Sequence, residues 1–388
     1  MDFGRVQEHD EIRQAVRDLC ARFPDAYWRD LDRRSAYPEE FVRALTEAGW
    51  LAALIPAEYG GAGLGITEGA LILEEINASG GNAASAHAQM YTMGTVLRHG
   101  SEEQKRRYLP RIASGELRLQ AFGITEPEAG SETARIRTTA TRRGDEWVVT
   151  GKKIFISRTL QSDLLLLLAR TTPYEELKDK TRGLSVFLVD LKAAVAAGTI
   201  TIRPIETMLN HHTTELFIEG LTLPASALVG QEGNGFRHII DSWNAERILI
   251  ASESLGDGRW FVRRAAKYAN ERVIFGRPIG ANQGVQFPLA RAHAALTAAT
   301  LVRDKAAWLF DRGESCGPEA NMAKLLASQA AWDAANAAMD AYGGYAFATE
   351  FDVERKFRET RLYITAPVNN NLVLAYIAEH VLGLPKSY

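Results

Sequence analysis

The stretch QAFGITEPEAGSE at 120–132 leaves a strand-like run and enters a loop that carries Thr125, Gly130 and Ser131. Backbone amides and small hydroxyls at a strand end offer donors and acceptors at fixed positions. That arrangement suits a planar, polar heterocycle. A second stretch, GKKIFIS at 151–157, carries Phe155 and Ser157. Strand alternation predicts one face for the two, where an aromatic and a hydroxyl could stack on and bond to a single ring. Close to the C-terminus, RETRLYITAPVNNNLV at 358–373 breaks a charged helical run at Pro367 and continues with Asn369, Asn370 and Asn371. Proline removes a backbone donor, and asparagine makes hydrogen bonds in tight turns without carrying charge. Read alone, this segment is a solvated loop between two helices.

Other chemistries lack their residues. His211-His212 has no third ligand at metal-binding spacing, and no GxSxG occurs. GGAGLG at 60–65 misses the dinucleotide-binding spacing, and no clear strand precedes it, so it reads as a loop before a helix. The two cysteines, Cys20 and Cys316, lie far apart and form no CxxC pair, so neither a disulfide framework nor a metal site is expected. A net charge of -3 gives no basic field for nucleic acid, and Lys105-Arg106-Arg107 reads as the solvated face of a helix. The longest apolar run, LLLLLA at 164–169, falls far short of the ~20 residues of a membrane span. The opening MDFGRVQEHDEIRQ is charged throughout and does not resemble a signal peptide. A cytoplasmic protein without a membrane partner is expected.

The elements that must position these residues differ in texture along the chain. With 388 residues, 46% of them hydrophobic, the chain is long enough for two or three domains with sizeable cores. Residues 1–116 read as an N-terminal α domain, with helical spacing over Glu11 to Phe23, Pro38 to Ala48 and Ala70 to Ile76. Ser101-Glu102-Glu103-Gln104 is a capping box that opens one more helix, ending near Gly115. Residues 117–232 read as a central β domain. Its strand-like runs are 117–122, 146–150, 164–170, 184–189, 199–202 and 215–218, with a turn at Arg143-Gly144-Asp145. Residues 233–388 read as a C-terminal four-helix bundle, with helices over 236–271, 283–311, 318–342 and 372–380. The fold class is therefore α+β and multidomain.

Four segments, in this order, carry a resemblance to the acyl-CoA dehydrogenase family over essentially the whole chain: ITEPEAGSE (124–132), GKKIFIS (151–157), ERVIFGRPIGANQGVQ (271–286) and AYGGYAF (341–347). The resemblance implies a homotetramer, a dimer of dimers, of α–β–α subunits with one FAD each. Phe122, Ile124, Thr125 and Ser131 would line the flavin, with Phe155 and Ser157 across from them. Arg272, Phe275 and Gln283 match the stretch that reaches the phosphates of a neighbouring subunit's FAD, where a guanidinium fork suits pyrophosphate. Gly343 and Gly344 match glycines that let backbone approach the same cofactor. Asn369 and Asn371 belong to the stretch that closes over the flavin. Ser131, Asn244 and Arg247 would meet the substrate, and Gln89 to Met93 with Trp243 would set the depth of the acyl pocket.

The reaction so implied is α,β-dehydrogenation of an acyl-CoA thioester to a 2,3-enoyl-CoA, with electrons passed to electron-transferring flavoprotein. It needs a carboxylate to take the α-proton. In many relatives that carboxylate follows an Arg-Asp run; the matching run here is Arg358-Glu359-Thr360-Arg361, and an ungapped count places Pro367 at the base position. Isovaleryl- and long-chain-type relatives carry instead a glutamate before an arginine on the first bundle helix, and NAERILI supplies Glu246-Arg247. Glu246 is thus the expected base, with Glu253 two turns on as the fallback. Pro367 would also delete a backbone donor to the thioester carbonyl, leaving Val368 or the Asn369 side chain to replace it. The rival expectations are an acyl-CoA oxidase, a lyase-like relative that eliminates a group through the same enolate, and a non-catalytic flavin-binding subunit.

Overall fold

The computed structural model describes residues 7–387. Six helices come first: α1 (Gln7–Ala21), α2 (Asp25–Arg34), α3 (Glu39–Glu47), α4 (Ile66–Ala78), α5 (Ala84–His99) and α6 (Glu102–Ala113). Ser101 and Gln104 form the reciprocal cap of α6, at 3.0 and 3.1 Å. The helices α4 and α5 are buried almost all round, so they form the inner wall of this domain.

The middle of the chain is one twisted sheet of β1 (Ala121–Gly123), β2 (Thr139–Arg143), β3 (Glu146–Ser157), β4 (Leu164–Arg170), β5 (Leu184–Asp190), β6 (Ile200–Pro204), β7 (Thr213–Pro224) and β8 (Leu228–Val229), with the six-residue helix α7 (Leu191–Ala196) between β5 and β6. Its order is β6-β7-β3-β2-β4-β5-β8, and β1 pairs in parallel with β4. The leucines of β4 are fully or almost fully buried because both faces of that strand are covered. One face packs on α5, α6 and the start of the next long helix, and the other closes a core around Trp147 and Phe187.

The last part holds α8 (Gly235–Glu271), the two-residue strands β9 (Val273–Ile274) and β10 (Arg277–Pro278), α9 (Gln283–Asp311), α10 (Gly317–Tyr342), α11 (Val353–Thr365) and α12 (Asn370–Tyr376). The expected fourth bundle helix over 372–380 is not the one observed. The helix that packs with α8 and α10 in that place is α11, whereas α12 is short and runs into a single π turn at Ile377–Val381. Two local features make the difference: Asp352 in the left-handed region starts α11, and Ala366-Pro367 ends it. The long helix α8 spans about 55 Å at helical rise and joins the layers. At Gly256 it lies against the backbone of α4, where an added Cβ would sit 2.4 Å from the Glu74 carbonyl oxygen. Alanines of α10, with residues from α1–α5, α8 and α9, form one continuous core.

Candidate active site

The loop after β1 is tied to β3 from inside. Lys153, fully buried on β3, donates to the Ile124 carbonyl at 3.0 Å and to Glu126 Oε1 at 2.9 Å. Glu126 also accepts the backbone N–H groups of Arg137 and Thr138. Burial alone would raise the Glu126 pKa, but the Lys153 charge and these N–H donors overcome it and hold the carboxylate below its ordinary value. Burial brings the Lys153 ammonium down to about 8. The Ile154 amide bonds the Thr125 carbonyl at 2.9 Å, so the two sequence stretches read as one site are neighbours in space. Phe122 is buried, Ile124, Thr125 and Ser157 are half-buried, and Ser131 is exposed at the loop tip.

The expected common face of Phe155 and Ser157 is not formed by strand alternation. A bulge interrupts the β3–β7 register between Lys153 and Ile156, and Phe155 takes φ 58° with its ring 63% exposed. Two residues now occupy the space of one step, so the period of two is lost there. The bulge turns an aromatic outward at the end of the strand, beside the loop that carries Thr125.

The asparagine segment reaches the same loop. Asn369 Nδ2 donates to Ser131 Oγ at 3.4 Å, and its Oδ1 caps α12 through the Leu372 amide. Its side chain is therefore committed to both. Lys324 of α10, fully buried, donates to the Val368 carbonyl and to Asn370 Oδ1, each at 2.7 Å. Burial lowers its pKa to about 7, with the Arg247 charge acting in the same direction. Asn371 is exposed in the first turn of α12.

On α8, Glu246 is 7% exposed, and desolvation raises its pKa to about 7 against the opposing charges of His87 and Arg247. Arg247 contacts Asn244 Oδ1 at 3.3 Å, and its Nε is buried without a partner. Glu253 is committed elsewhere. Its Oε1 lies 2.5 Å from His87 Nδ1, a close contact off the axis of a linear hydrogen bond, and its Oε2 accepts from Tyr363 at 3.3 Å. The fallback base is thus a paired carboxylate, while Glu246 is the one whose charged form is left poorly solvated.

A second concavity, of about 870 Å³, gathers Arg272, Phe275, Gly343 and Gly344 with Tyr268 and Tyr345. A Cβ at either glycine would meet nothing within 4 Å, and Gly343 sits at φ 57°, so the open backbone there is available to a ligand. Arg272 lies over the Tyr345 ring at 5.8 Å. Gln283 is exposed at the start of α9 and is not among the residues lining this cleft. Among the described residues no cluster of three or more His, Cys, Asp or Glu could hold a metal ion.

Sequence reading missed His87, Glu126, Lys153, Arg158 and Lys324. Glu126 and Lys153 lie within the two stretches ITEPEAGSE and GKKIFIS, where an acid and a base were the available signal for a pair. The others become visible only when distant elements meet.

Comparison with known proteins gives three matching family profiles: "Acyl-CoA dehydrogenase, N-terminal domain" over residues 6–116, "middle domain" over 121–221 and "C-terminal domain" over 233–382. The chain is 36% identical to the acyl-CoA dehydrogenase fadE12 of Mycobacterium bovis, over 100% of this chain and 99% of that one. A glutaryl-coenzyme A dehydrogenase solved with glutaryl-CoA superposes with a TM-score of 0.90 at 31% identity, covering 100% of this chain and 98% of that one. The butyryl-CoA dehydrogenase of Megasphaera elsdenii gives 0.91 at 26%, covering 98% and 100%.

Proposed function

The chain belongs to the acyl-CoA dehydrogenase family, and we propose from its site that Glu246 removes the α-proton of an acyl-CoA thioester. It is an oxidoreductase acting on the CH–CH group of acyl-CoA, and its cofactor is FAD. The residues present fit that group: an exposed aromatic at a strand bulge beside the Thr125 loop, and an open cleft with a guanidinium and two glycines whose backbone is uncovered. Bound FAD supplies the acceptor for the β-hydrogen, taken as hydride.

The chain's own residues do the rest. Phe122, Ile124, Thr125, Phe155 and Ser157 form the flavin wall, with Asn369 and Asn371 at its edge. Arg272 and Phe275, with Gly343 and Gly344 and Gln283 nearby, serve the cofactor of a neighbouring copy in a homotetramer. Ser131, Asn244 and Arg247 hold the substrate. Lys324 fixes the segment at Val368, whose N–H stands next to Pro367 and replaces the donor that proline lacks. Electron-transferring flavoprotein is the acceptor, and the compartment is the cytoplasm. The division into domains at 116/117 and 232/233 is part of the same reading.

The observation that carries the assignment is the burial of Glu246, which holds its pKa at about 7. A base working near neutral pH is most effective when its pKa lies there. The test mixes the yellow holoprotein anaerobically with a panel of CoA thioesters. Bleaching with a product two hydrogens lighter, reoxidised faster by electron-transferring flavoprotein than by oxygen, is expected. A product formed by loss of a substituent without bleaching, or no reaction with any thioester, would overturn the reading.

A further inference from the structure

Two facing stripes join α5 to α8. His87, Tyr91 and Thr95 recur every four residues on α5, and Ser242, Glu246, Leu249 and Glu253 lie on one side of α8. The stripes meet at both ends: Thr95 Oγ1 lies 3.0 Å from Ser242 Oγ, and His87 Nδ1 lies 2.5 Å from Glu253 Oε1. Tyr91, midway along the first stripe, therefore stands across from the stretch of α8 that begins at Glu246. Its ring lies 6.2 Å from that of Phe122 and 5.2 Å from that of His87. Burial shows where open space ends. Residues 85–96 of α5 are buried apart from Tyr91, and residues 248–258 of α8 are all buried. Deeper than Tyr91 the two helices meet on a polar floor. Tyr363 donates to the second oxygen of Glu253 at 3.3 Å, and Asn77 donates to Tyr363 at 2.9 Å and to the Glu253 carbonyl at 3.2 Å.

We propose that Tyr91 closes the acyl pocket just beyond Glu246 and restricts the enzyme to short acyl groups, of propionyl or butyryl size. The inference rests on Glu246 being the base, because that places the substrate's α-carbon at the open end of the two stripes. A chain growing inward from there meets the phenol ring. Phe122 and His87 flank that ring, so it is held in place rather than free to swing aside. Past it, further methylenes would enter a region where the residues of both helices are already buried. Overfilling a packed interior is unfavourable. The same methylenes would displace the hydrogen bonds of the floor and leave buried polar groups unpaired, which adds to the penalty.

The test follows flavin bleaching and calorimetric binding of propionyl-, butyryl-, hexanoyl- and octanoyl-CoA with the holoprotein. Wild type should favour butyryl-CoA over octanoyl-CoA in kcat/KM by at least about tenfold, the discrimination that misfitting methylenes provide. Tyr91→Ala removes the ring and should raise kcat/KM for octanoyl-CoA by about the same factor. Tyr91→Leu, shorter than the phenol, serves if Tyr91→Ala does not fold. Tyr91→Phe keeps the ring and should keep the wild-type order of substrates. A wild-type enzyme that prefers octanoyl-CoA, or a shortened side chain that leaves the order unmoved, would overturn the inference while the dehydrogenation stands. If no thioester bleaches the flavin, it is the dehydrogenation reading that fails. The binding order then decides the pocket by itself: butyryl-CoA bound at least as tightly as octanoyl-CoA supports closure at Tyr91, and octanoyl-CoA bound more tightly contradicts it.

Discussion

Glu246 is a carboxylate kept where its charge is poorly solvated, and this has two consequences of opposite sign. As the proposed base it would work only when ionised. With its pKa at about 7, the first-turnover rate should rise about tenfold per pH unit up to that value and level above it. A profile flat from pH 5 to 8 would contradict this. The second consequence concerns stability. The folded pKa exceeds the ordinary 4.5, so between pH 4.5 and about 7 the folded chain holds a proton that the unfolded chain releases. Stability therefore declines as pH rises through that window, by about 3 kcal/mol in total. Glu246→Gln, which cannot ionise, should melt higher than wild type at pH 8, and the gap should close toward pH 5. An equal melting temperature at pH 8 would mean that the side chain is better solvated than its burial indicates.

Between elements, one buried ion pair ties the loop after β1 to β3 at the proposed flavin wall. Lys153 of β3 and Glu126 of the loop after β1 are both almost fully buried, and each depends on the other. Lys153→Met leaves Glu126 buried with only its backbone donors. Breaking such a pair costs about 3–5 kcal/mol. It should lower the melting temperature and FAD content together, and adding Glu126→Gln should recover part of both. Loss of FAD content with unchanged melting would show that the pair serves the cofactor alone. This pair also marks how far the sequence could be read. The run 164–170 and the helix 283–311 were legible to the residue because period and breakers agree there. The bulge at Phe155 was not, since it is set by pairing with β7, a strand about sixty residues away. Likewise the charged helical run that ends at Pro367 was legible, but not its place as a bundle helix, because its packing partners lie on α8 and α10. Glu246-Arg247 could be singled out, but not the approach of Glu253 to His87 at 2.5 Å, which needs two helices side by side.

Taken as a whole molecule, the subunit leaves an apolar surface around the second cleft. Phe275 is fully exposed, Phe347 73% and Val273 56%, beside Arg272. Exposed aromatic and aliphatic groups clustered at an arginine are what the proposed contact with a neighbouring copy and its cofactor would cover. Arg272→Ala should lower FAD occupancy while the subunit still folds, as measured by the absorbance ratio of purified protein and by circular dichroism. Full occupancy in that variant would place the cofactor's phosphates elsewhere. Among the described residues no helix is long and apolar enough to cross a membrane, so this surface is not part of a helical span.

In the proposed reaction one carboxylate on α8, and not the segment around Pro367, takes the α-proton. Rapid mixing of Glu246→Gln with a good acyl-CoA substrate tests it most directly. The variant keeps shape and hydrogen bonding and loses the charge. Its flavin absorbance should decay ~10²–10⁴-fold more slowly than wild type, with FAD still bound and the thioester still binding. Decay at the wild-type rate would contradict the account.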